Sequence, residues 1–388
     1  MKICILTPRF PLPENGGDVL RINNIARYLK GRGHELVLIS FYERNVDMEE
    51  ARKLYDKVYV VRRNVFASVC FSFLFWIMGK PIQCGYYYSW AFSKKFREVI
   101  RAECPERYIS HLLRMVPYLE KNELQAVSIV EMTDALSKTY GMSEKAKGGM
   151  LKRMIYKIEK KLIERFELHV IRRFPKVVLV SQSDIDFLNR TCGMDNSSLV
   201  LHTNGVECAD SSSFRYDPMK VCFIGNMRTL QNQDAVLHFA DDIFPLILRK
   251  FPDAMFYVVG AEPPRRILDL AERKNIVVTG FVNDLNVVIS DACLAVAPVR
   301  VAAGIQNKVL VAMADKLPVV LTSMISRAIP ELHHGENCLI CDDSEEFAEA
   351  CIRIMAEPGV RERLSIQGYN TVLQYYSWAE KLKDYEQL

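Results

Sequence analysis

The sequence predicts an α/β protein made of two doubly wound, Rossmann-like domains facing a central cleft. Three observations predict it. The chain opens as strand, glycine loop, helix, strand. Its second half alternates strands that end in glycine with amphipathic helices. Its 388 residues are enough for two cores, at roughly 100–200 residues per domain. A hydrophobic fraction of 49% with 25% charged residues is that of a soluble globular chain.

The elements follow in order. "KICILTPR" is a buried strand, and "PLPENGGD" is a turn in which Gly16 and Gly17 let the backbone come close to another group. "VLRINNIARYLKGRGH" places Leu20, Ile22, Ile25, Ala26 and Leu29 at helical spacing, and Gly33 ends it. "ELVLISFY" is the next strand. "KVVLVSQSDIDFL" and "LVLHTNGVE" complete the first domain, residues 1–206, and the polar "CADSSSFRYDP" lies in a linker, 207–219. The second domain, 220–368, runs "KVCFIGNM" (strand), "NQDAVLHFADDIFPLILRKFP" (helix), "AMFYVVGA" (strand), "PRRILDLAERK" (helix), "NIVVTGFV" (strand), "LNVVISDA" (short helix), "CLAVAPV" (strand) and "LPVVLTS" (strand). The aromatic-rich 369–388 reads as a terminal helix that packs back on the first domain.

The net charge of +4 does not call for nucleic acid, and it is unevenly spread. From Glu144 to Lys176 eleven Lys/Arg face four Glu, a local +7 that leaves −3 for the rest. The N-terminal apolar run is too short for a secretory signal, and eleven scattered cysteines fit reduced thiols in a cytoplasmic protein. "CLIC", Cys338 to Cys341, lies in an apolar run and reads as a buried strand rather than half of a metal site. "DID", Asp184 to Asp186, follows a strand directly and reads as a helix cap. The apolar run Val65 to Lys80 is shorter than the roughly twenty residues of a spanning helix, and fits either a buried helix or one lying in a membrane interface.

"AAGIQNKVLVAMADKLPVV", Ala302 to Val320, sets a glycine and a lysine at the start of a short helix that leads to a buried strand. The first helical turn offers unpaired N–H groups and the positive end of the dipole, which suit a phosphate. Lys308 adds a full charge there. A plain helix start with an exposed lysine is the competing reading.

"APVRVAAGIQNKVLVAMADKLPVV" resembles the nucleotide-sugar segment of the retaining glycosyltransferases of family four, the glycosyltransferase group-1 domain with the B-type fold, where it reads roughly "GxxNKxxEAMAxGxPVV". The resemblance spans nearly the whole chain. It includes the opening loop and helix "TPRFPLPENGGDVLRINNIARYLKGRGHEL", the hinge "LHTNGVE", the donor loop "FIGNMRTLQNQDAV", the base-contacting "VVTGFVNDL" and the terminal "YYSWAEKLKDYEQL". It implies transfer of a sugar from a nucleotide diphosphate to a glycan or lipid-diphosphate-linked acceptor, with retention, in surface polysaccharide or glycoconjugate assembly. By the same resemblance Lys308 and Arg228 are the cations at the leaving phosphates. Gly225, Asn226, Met227, Gly280, Phe281, Val282, Gly304, Ile305, Gln306, Asn307 and Val311 line the donor, and Gly16, Gly17, Arg21, His111 and Asp134 lie on the acceptor side. No metal or other cofactor is implied, and His202 is structural.

This sequence departs from the family at three places. The glutamate of "EAMA", which in the family contacts the ribose, falls on Val311. An earlier glutamate falls near Ala303, and the glycine before "PVV" falls near Lys316. A valine accepts no hydrogen bond from a hydroxyl, a loss of about 1–3 kcal/mol unless another group replaces it. Two other readings therefore stand beside the transferase: a non-catalytic subunit with a degenerate donor site, and a sugar-nucleotide epimerase or phosphorylase of similar fold. The location implied is cytoplasmic. The basic segment and the apolar run extend it to the inner face of the cell membrane, with an anionic surface as partner.

Overall fold

The structure, a computed structural model, describes residues 1–14, 16–43, 46–144, 150–193, 196–208, 216–282, 284–300, 306–383 and 385–387. The chain divides into two compact units, Met1–Asn204 with Lys381–Leu388, and Gly205–Glu380.

The first unit holds a seven-stranded parallel sheet. Its strands are β1 (Lys2–Thr7), β2 (Glu35–Tyr42), β3 (Lys57–Arg62), β4 (Arg107–His111), β5 (Ser128–Thr133), β6 (Lys176–Leu179) and β7 (Leu199–Leu201), in the order β3-β2-β1-β4-β5-β6-β7. β1 pairs with β2 from Lys2–Glu35 to Thr7–Ser40 and with β4 on its other side, so the chain reverses its direction of winding at β1. Burial on both faces accounts for the continuous apolar runs of β1 and β2. Helix Gly17–Gly31 buries Ile22, Ile25, Ala26 and Leu29, as its spacing predicted, but leaves Leu20 exposed, and Gly33 has a φ of 82°. β3, β4 and β5 carry no strong period of their own and become strands through pairing, β3 with β2, β4 with β1 and β5 with β4 and β6.

The second unit holds a six-stranded parallel sheet: β8 (Asp217–Ile224), β9 (Met255–Val259), β10 (Ile276–Gly280), β11 (Ala292–Ala297), β12 (Val319–Leu321) and β13 (Leu339–Ile340), ordered β10-β9-β8-β11-β12-β13. Cys338 and Cys341 flank the two-residue β13, buried and free, and burial pushes their thiols up to about 12 and about 11. The long helix after β8 runs from Leu230 to Lys250 with one π turn, Phe239–Ile243, just before Pro245, which has no N–H to give the ladder.

Several expectations are corrected. "PRRILDLAERK" is a single helical turn, Arg265–Leu268, followed by a 3₁₀ turn, Asp269–Glu272. The terminal segment is not one helix. Helix Pro358–Tyr375 ends, a short helix Trp378–Leu382 follows, and the chain rejoins the first unit at Lys381 rather than at Tyr369. β8 begins at Asp217, inside the expected linker, whose residues 209–215 lie outside the described ones. Helix Gln182–Cys192 is capped by Ser181, not by Asp184, and the Asp184 carboxylate accepts from the Lys138 ammonium at 2.7 Å. Helix Val65–Ile77 is not a core helix, because most of its large apolar side chains are exposed.

Candidate functional site

Glycines shape the carboxyl edge of the second sheet. Gly225 follows β8 and Gly260 follows β9. The two approach so closely that a Cβ on Gly260 would lie 1.8 Å from the Gly225 carbonyl oxygen. The Gly225 and Met227 N–H groups donate to the Val259 and Ala261 carbonyls at 2.9 Å each, which ties the two loops together. A Cβ on Gly225 would in turn meet the Asn232 amide at 2.7 Å. The glycine therefore makes room for a side chain in the first turn of the following helix.

That amide is the hub of the site. Buried Asn232 donates through Nδ2 to the Asn226 carbonyl at 2.8 Å, which fixes the orientation of its Oδ1 toward the Lys308 ammonium. Lys308 stands in the first turn of helix Asn307–Ala314, with its Nζ 4.8 Å from the centre of the Phe223 ring at the end of β8. Its partners are an amide oxygen and an aromatic face. Among the described residues no carboxylate pairs with it, and burial pushes its pKa down to about 8. A half-buried ammonium without a counter-ion at a helix N-terminus is a site for an anion. Gln233, which donates to the Met227 carbonyl and is held by Arg266 at 2.9 Å, steadies the same loop.

The other residues expected at the donor have these positions. Asn226 and Arg228 are exposed on the loop, and Met227 is fully buried, an anchor whose side chain faces the core. Arg228 is forked onto Glu262, its Nε 2.7 Å from Oε2, so a carboxylate already shares its charge. Gly280 ends β10 at a φ of 68°, Phe281 is 71% exposed, and Val282 is half-buried. Gln306 is the buried N-cap of the lysine helix, and Asn307 is exposed beside it. Val311 faces the edge of the core. Ala303, Gly304 and Ile305 lie outside the described residues. Lys316 keeps the left-handed conformation, φ 60°, of the glycine it replaces.

In the first unit, the carboxyl ends of β1, β4 and β5 carry polar groups with no partner. Thr7 Oγ1, both ring nitrogens of His111 and Thr133 Oγ1 are buried and unpaired among the described residues. Leu112 and Thr133, at the ends of adjacent strands, have φ of 68° and 70°, which is strained for side chains of these kinds. Unpaired polar atoms and backbone strain together, at the edge where open α/β sheets bind ligands, mark this as a candidate binding edge of the first unit. Burial holds His111 at a pKa of about 3, so its imidazole is neutral throughout the physiological range. Asp134 is exposed at the same edge. Its carboxyl is raised, first by partial enclosure and then by the Asp184 charge.

Gly16 caps the first helix at a φ of 112°, and a Cβ on Gly17 would meet nothing within 4 Å. Arg21 is not a surface contact. It is 0% exposed, forked onto equally buried Glu131 at 2.7 and 3.2 Å, and it donates to Asn204 at 3.0 Å. It fixes the end of the first unit instead of touching a ligand. His202 donates through Nδ1 to the Lys381 carbonyl, 3.1 Å away, and its ring packs against Tyr385.

Sequence reasoning missed Asn232, Gln233 and Gly260 as parts of the site. All three stood in quoted stretches, but no spacing rule separates them from ordinary helix and turn residues. The strain at Leu112 and Thr133 has no signature in composition, because neither residue favours a positive φ. Among the described residues no three His, Cys, Asp or Glu side chains converge as metal ligands would.

Residues 218–357 match the family described as Glycosyl transferases group 1. Over 97% of its length the chain is 21% identical to an uncharacterized 44.6 kDa protein in the cps region of Klebsiella pneumoniae, of which it covers 96%. Among solved structures it is similar to Anabaena HepE in complex with UDP-glucose, at 13% identity and TM-score 0.60 over 100% of this chain and 98% of that one. It is also similar to WaaG, a glycosyltransferase involved in lipopolysaccharide biosynthesis, at 14% identity and TM-score 0.60 over 99% of both chains. The domain that holds Gly225, Asn232 and Lys308 thus matches the model of the group 1 glycosyl transferases, and along its whole length the chain has the B-type glycosyltransferase fold.

Proposed function

We propose that the protein transfers a hexosyl group, with retention, from a nucleotide diphosphate to a glycan or lipid-diphosphate-linked acceptor in surface polysaccharide or glycoconjugate assembly. The observation that carries this reading is the Lys308 ammonium, without a carboxylate partner among the described residues, held by Asn232 beside the Gly225 loop. The crystallised complexes of HepE with UDP and UDP-glucose and the relative from a cps region support the donor class and the setting.

In the reaction the bond between the anomeric carbon and the β-phosphate oxygen breaks, and its electron pair leaves with the diphosphate. Lys308 and the N–H groups of helix Asn307–Ala314 take up the charge that grows there, so the reaction is proposed to need no metal. The acceptor hydroxyl bonds to the anomeric carbon on the same face, and its proton passes to an oxygen of the leaving phosphate. His111, at a pKa of about 3, is too weak a base to take that proton, and serves as a hydrogen-bond partner of sugar or acceptor. We place the protein in the cytoplasm, with its acceptor at the inner face of the cell membrane.

A screen of sugar nucleotides with lipid-linked acceptors, read as release of free nucleoside diphosphate and as product anomer by NMR, tests this. Lys308→Ala should cost roughly a hundred- to thousandfold in turnover. Retention of more than about a tenth of wild-type turnover at saturating donor would remove Lys308 from the role. Val311 favours the second reading, a subunit with a degenerate donor site. Binding of a nucleotide with no release of diphosphate from any donor would establish it. Val311→Glu should tighten at least one nucleotide by restoring an acceptor for the ribose, by up to about 1–3 kcal/mol. Unchanged affinity across the panel would mean that the pocket has been rebuilt around the valine.

A further inference from the structure

Helix Val65–Ile77 turns most of its large apolar side chains outward. It buries Phe75 and Ser68 and half-buries Ser72, whose hydroxyl has no partner among the described residues, while Phe66 is 80%, Phe73 59%, Trp76 43% and Ile77 64% exposed. A helix folded against a core and facing water turns its serines outward and most of its large apolar side chains inward. Here a neighbouring glycine fixes a different orientation. A Cβ on Gly85, in helix Ile82–Tyr86, would come within 2.5 Å of the Phe71 carbonyl oxygen, so the two helices meet backbone to backbone on the serine side. Beside the exposed face lies a groove of about 430 Å³, lined by Leu74, Met78 and Trp90 with Lys80 and Lys121.

Along the chain this helix lies in a stretch of one charge sign, and Glu120 is the acidic residue of the groove beside it. From Lys57 through Arg97 the chain carries seven Lys/Arg and no Asp or Glu. The basic helix Met150–Arg173 joins the same region at two points. Its Glu159 accepts from the Ile82 and Gln83 N–H groups at 2.9 and 3.2 Å, and its His169 pairs with Glu120 of the groove at 2.6 Å. Its exposed Lys157, Lys161 and Arg165 follow one another at intervals of four, a cationic stripe along one face.

We propose that this face docks on an anionic lipid bilayer, with helix Val65–Ile77 lying in the interface. Phe66, Phe73, Trp76 and Ile77 enter the acyl boundary, and the surrounding cations sit among lipid phosphates. At 1.5 Å per residue the 13-residue helix is about 20 Å long, against about 30 Å of hydrocarbon, so it lies in the membrane rather than crossing it. A second copy of this chain is disfavoured as occupant, because a two-fold contact through this face would set like charges against each other. Cations near an anionic surface contribute about 1 kcal/mol each, screened by salt. The inference rests on no step of the donor chemistry.

The test is flotation of the full chain with phosphatidylcholine vesicles, with and without about 30 mol% phosphatidylglycerol, together with quenching of tryptophan by brominated lipid. Expected are flotation only with the anionic vesicles, its loss at high salt, and quenching that falls in Trp76→Phe. The triple variant Phe66→Ser/Phe73→Ser/Ile77→Ser, all at exposed positions, should lose at least roughly tenfold in partitioning while keeping its nucleotide affinity. A wild-type protein that stays with the soluble fraction on anionic vesicles at low salt overturns the proposal, and so does flotation without quenching. A wild-type dimer that the triple variant converts to monomer, with no flotation, assigns the face to a second copy instead.

Discussion

The Lys308 ammonium has an amide oxygen and an aromatic face as partners and, among the described residues, no carboxylate, so its charge is held loosely in its half-buried place. Its pKa of about 8 lies below the 10.5 of a free lysine. The ammonium is therefore nearly complete a pH unit or more below about 8, half lost at about 8, and gone above it. In the free enzyme kcat/KM should fall along an alkaline limb near pH 8, while a bound diphosphate, which favours the ammonium, should move the limb of kcat upward. In Lys308→Arg the limb should be absent, since guanidinium does not titrate in this range. A limb that survives that substitution belongs to another group. Asn232 is the residue that aims this charge. Asn232→Asp keeps the shape and adds a carboxylate. It should raise the limb by about one unit or more and lower kcat/KM at neutral pH, because the new carboxylate competes with the diphosphate. An unmoved limb, measured on a protein with unchanged melting temperature, would show that the amide only fills space.

At the scale of the element, the donor loop exists because β8 and β9 end in glycines that touch. Gly260→Ala places a methyl where the Gly225 carbonyl already lies, and backbone cannot yield as a flexible side chain does. The variant should lose roughly 1–3 kcal/mol of stability and, because the displaced group is the loop itself, nucleotide binding as well. Stability and affinity should therefore fall together; a loss of stability with wild-type affinity would separate the loop from the site. The lysine helix ends on the opposite kind of exception. Lys316 occupies a left-handed conformation that costs a side chain about 1 kcal/mol, while its ammonium lies 4.9 Å from the Tyr369 ring, a contact worth about half of that. Lys316→Gly should therefore raise the midpoint of thermal unfolding slightly. A lowered midpoint would mean that the Lys316 contacts outweigh the backbone strain.

At the scale of the whole molecule, each unit closes its own core and presents polar groups at the carboxyl edge of its sheet. A nucleotide bound at a hundredfold its dissociation constant should add about 2.7 kcal/mol to stability, and hydrogen exchange should show slowed amides first in the Gly225 loop and in helix Asn307–Ala314. Protection confined to the first unit would contradict the donor assignment. The sequence by itself determined the winding, because buried parallel strands must be continuous apolar runs and their glycine-punctuated loops must return through helices. It also fixed the helix after Gly16, the lysine at its helix start and the departures at Val311 and Lys316, which are properties of identity and local period. Only the tertiary structure decided that Arg21 is sealed against Glu131, that Asn232 stands between the glycine loop and Lys308, that Leu112 and Thr133 are strained, and that the helix at Val65–Ile77 buries its serines. Each of these depends on a partner far away in the chain. Period and composition report which face of an element is apolar, but the neighbour that covers that face, or leaves it open, is chosen only when the sheets close.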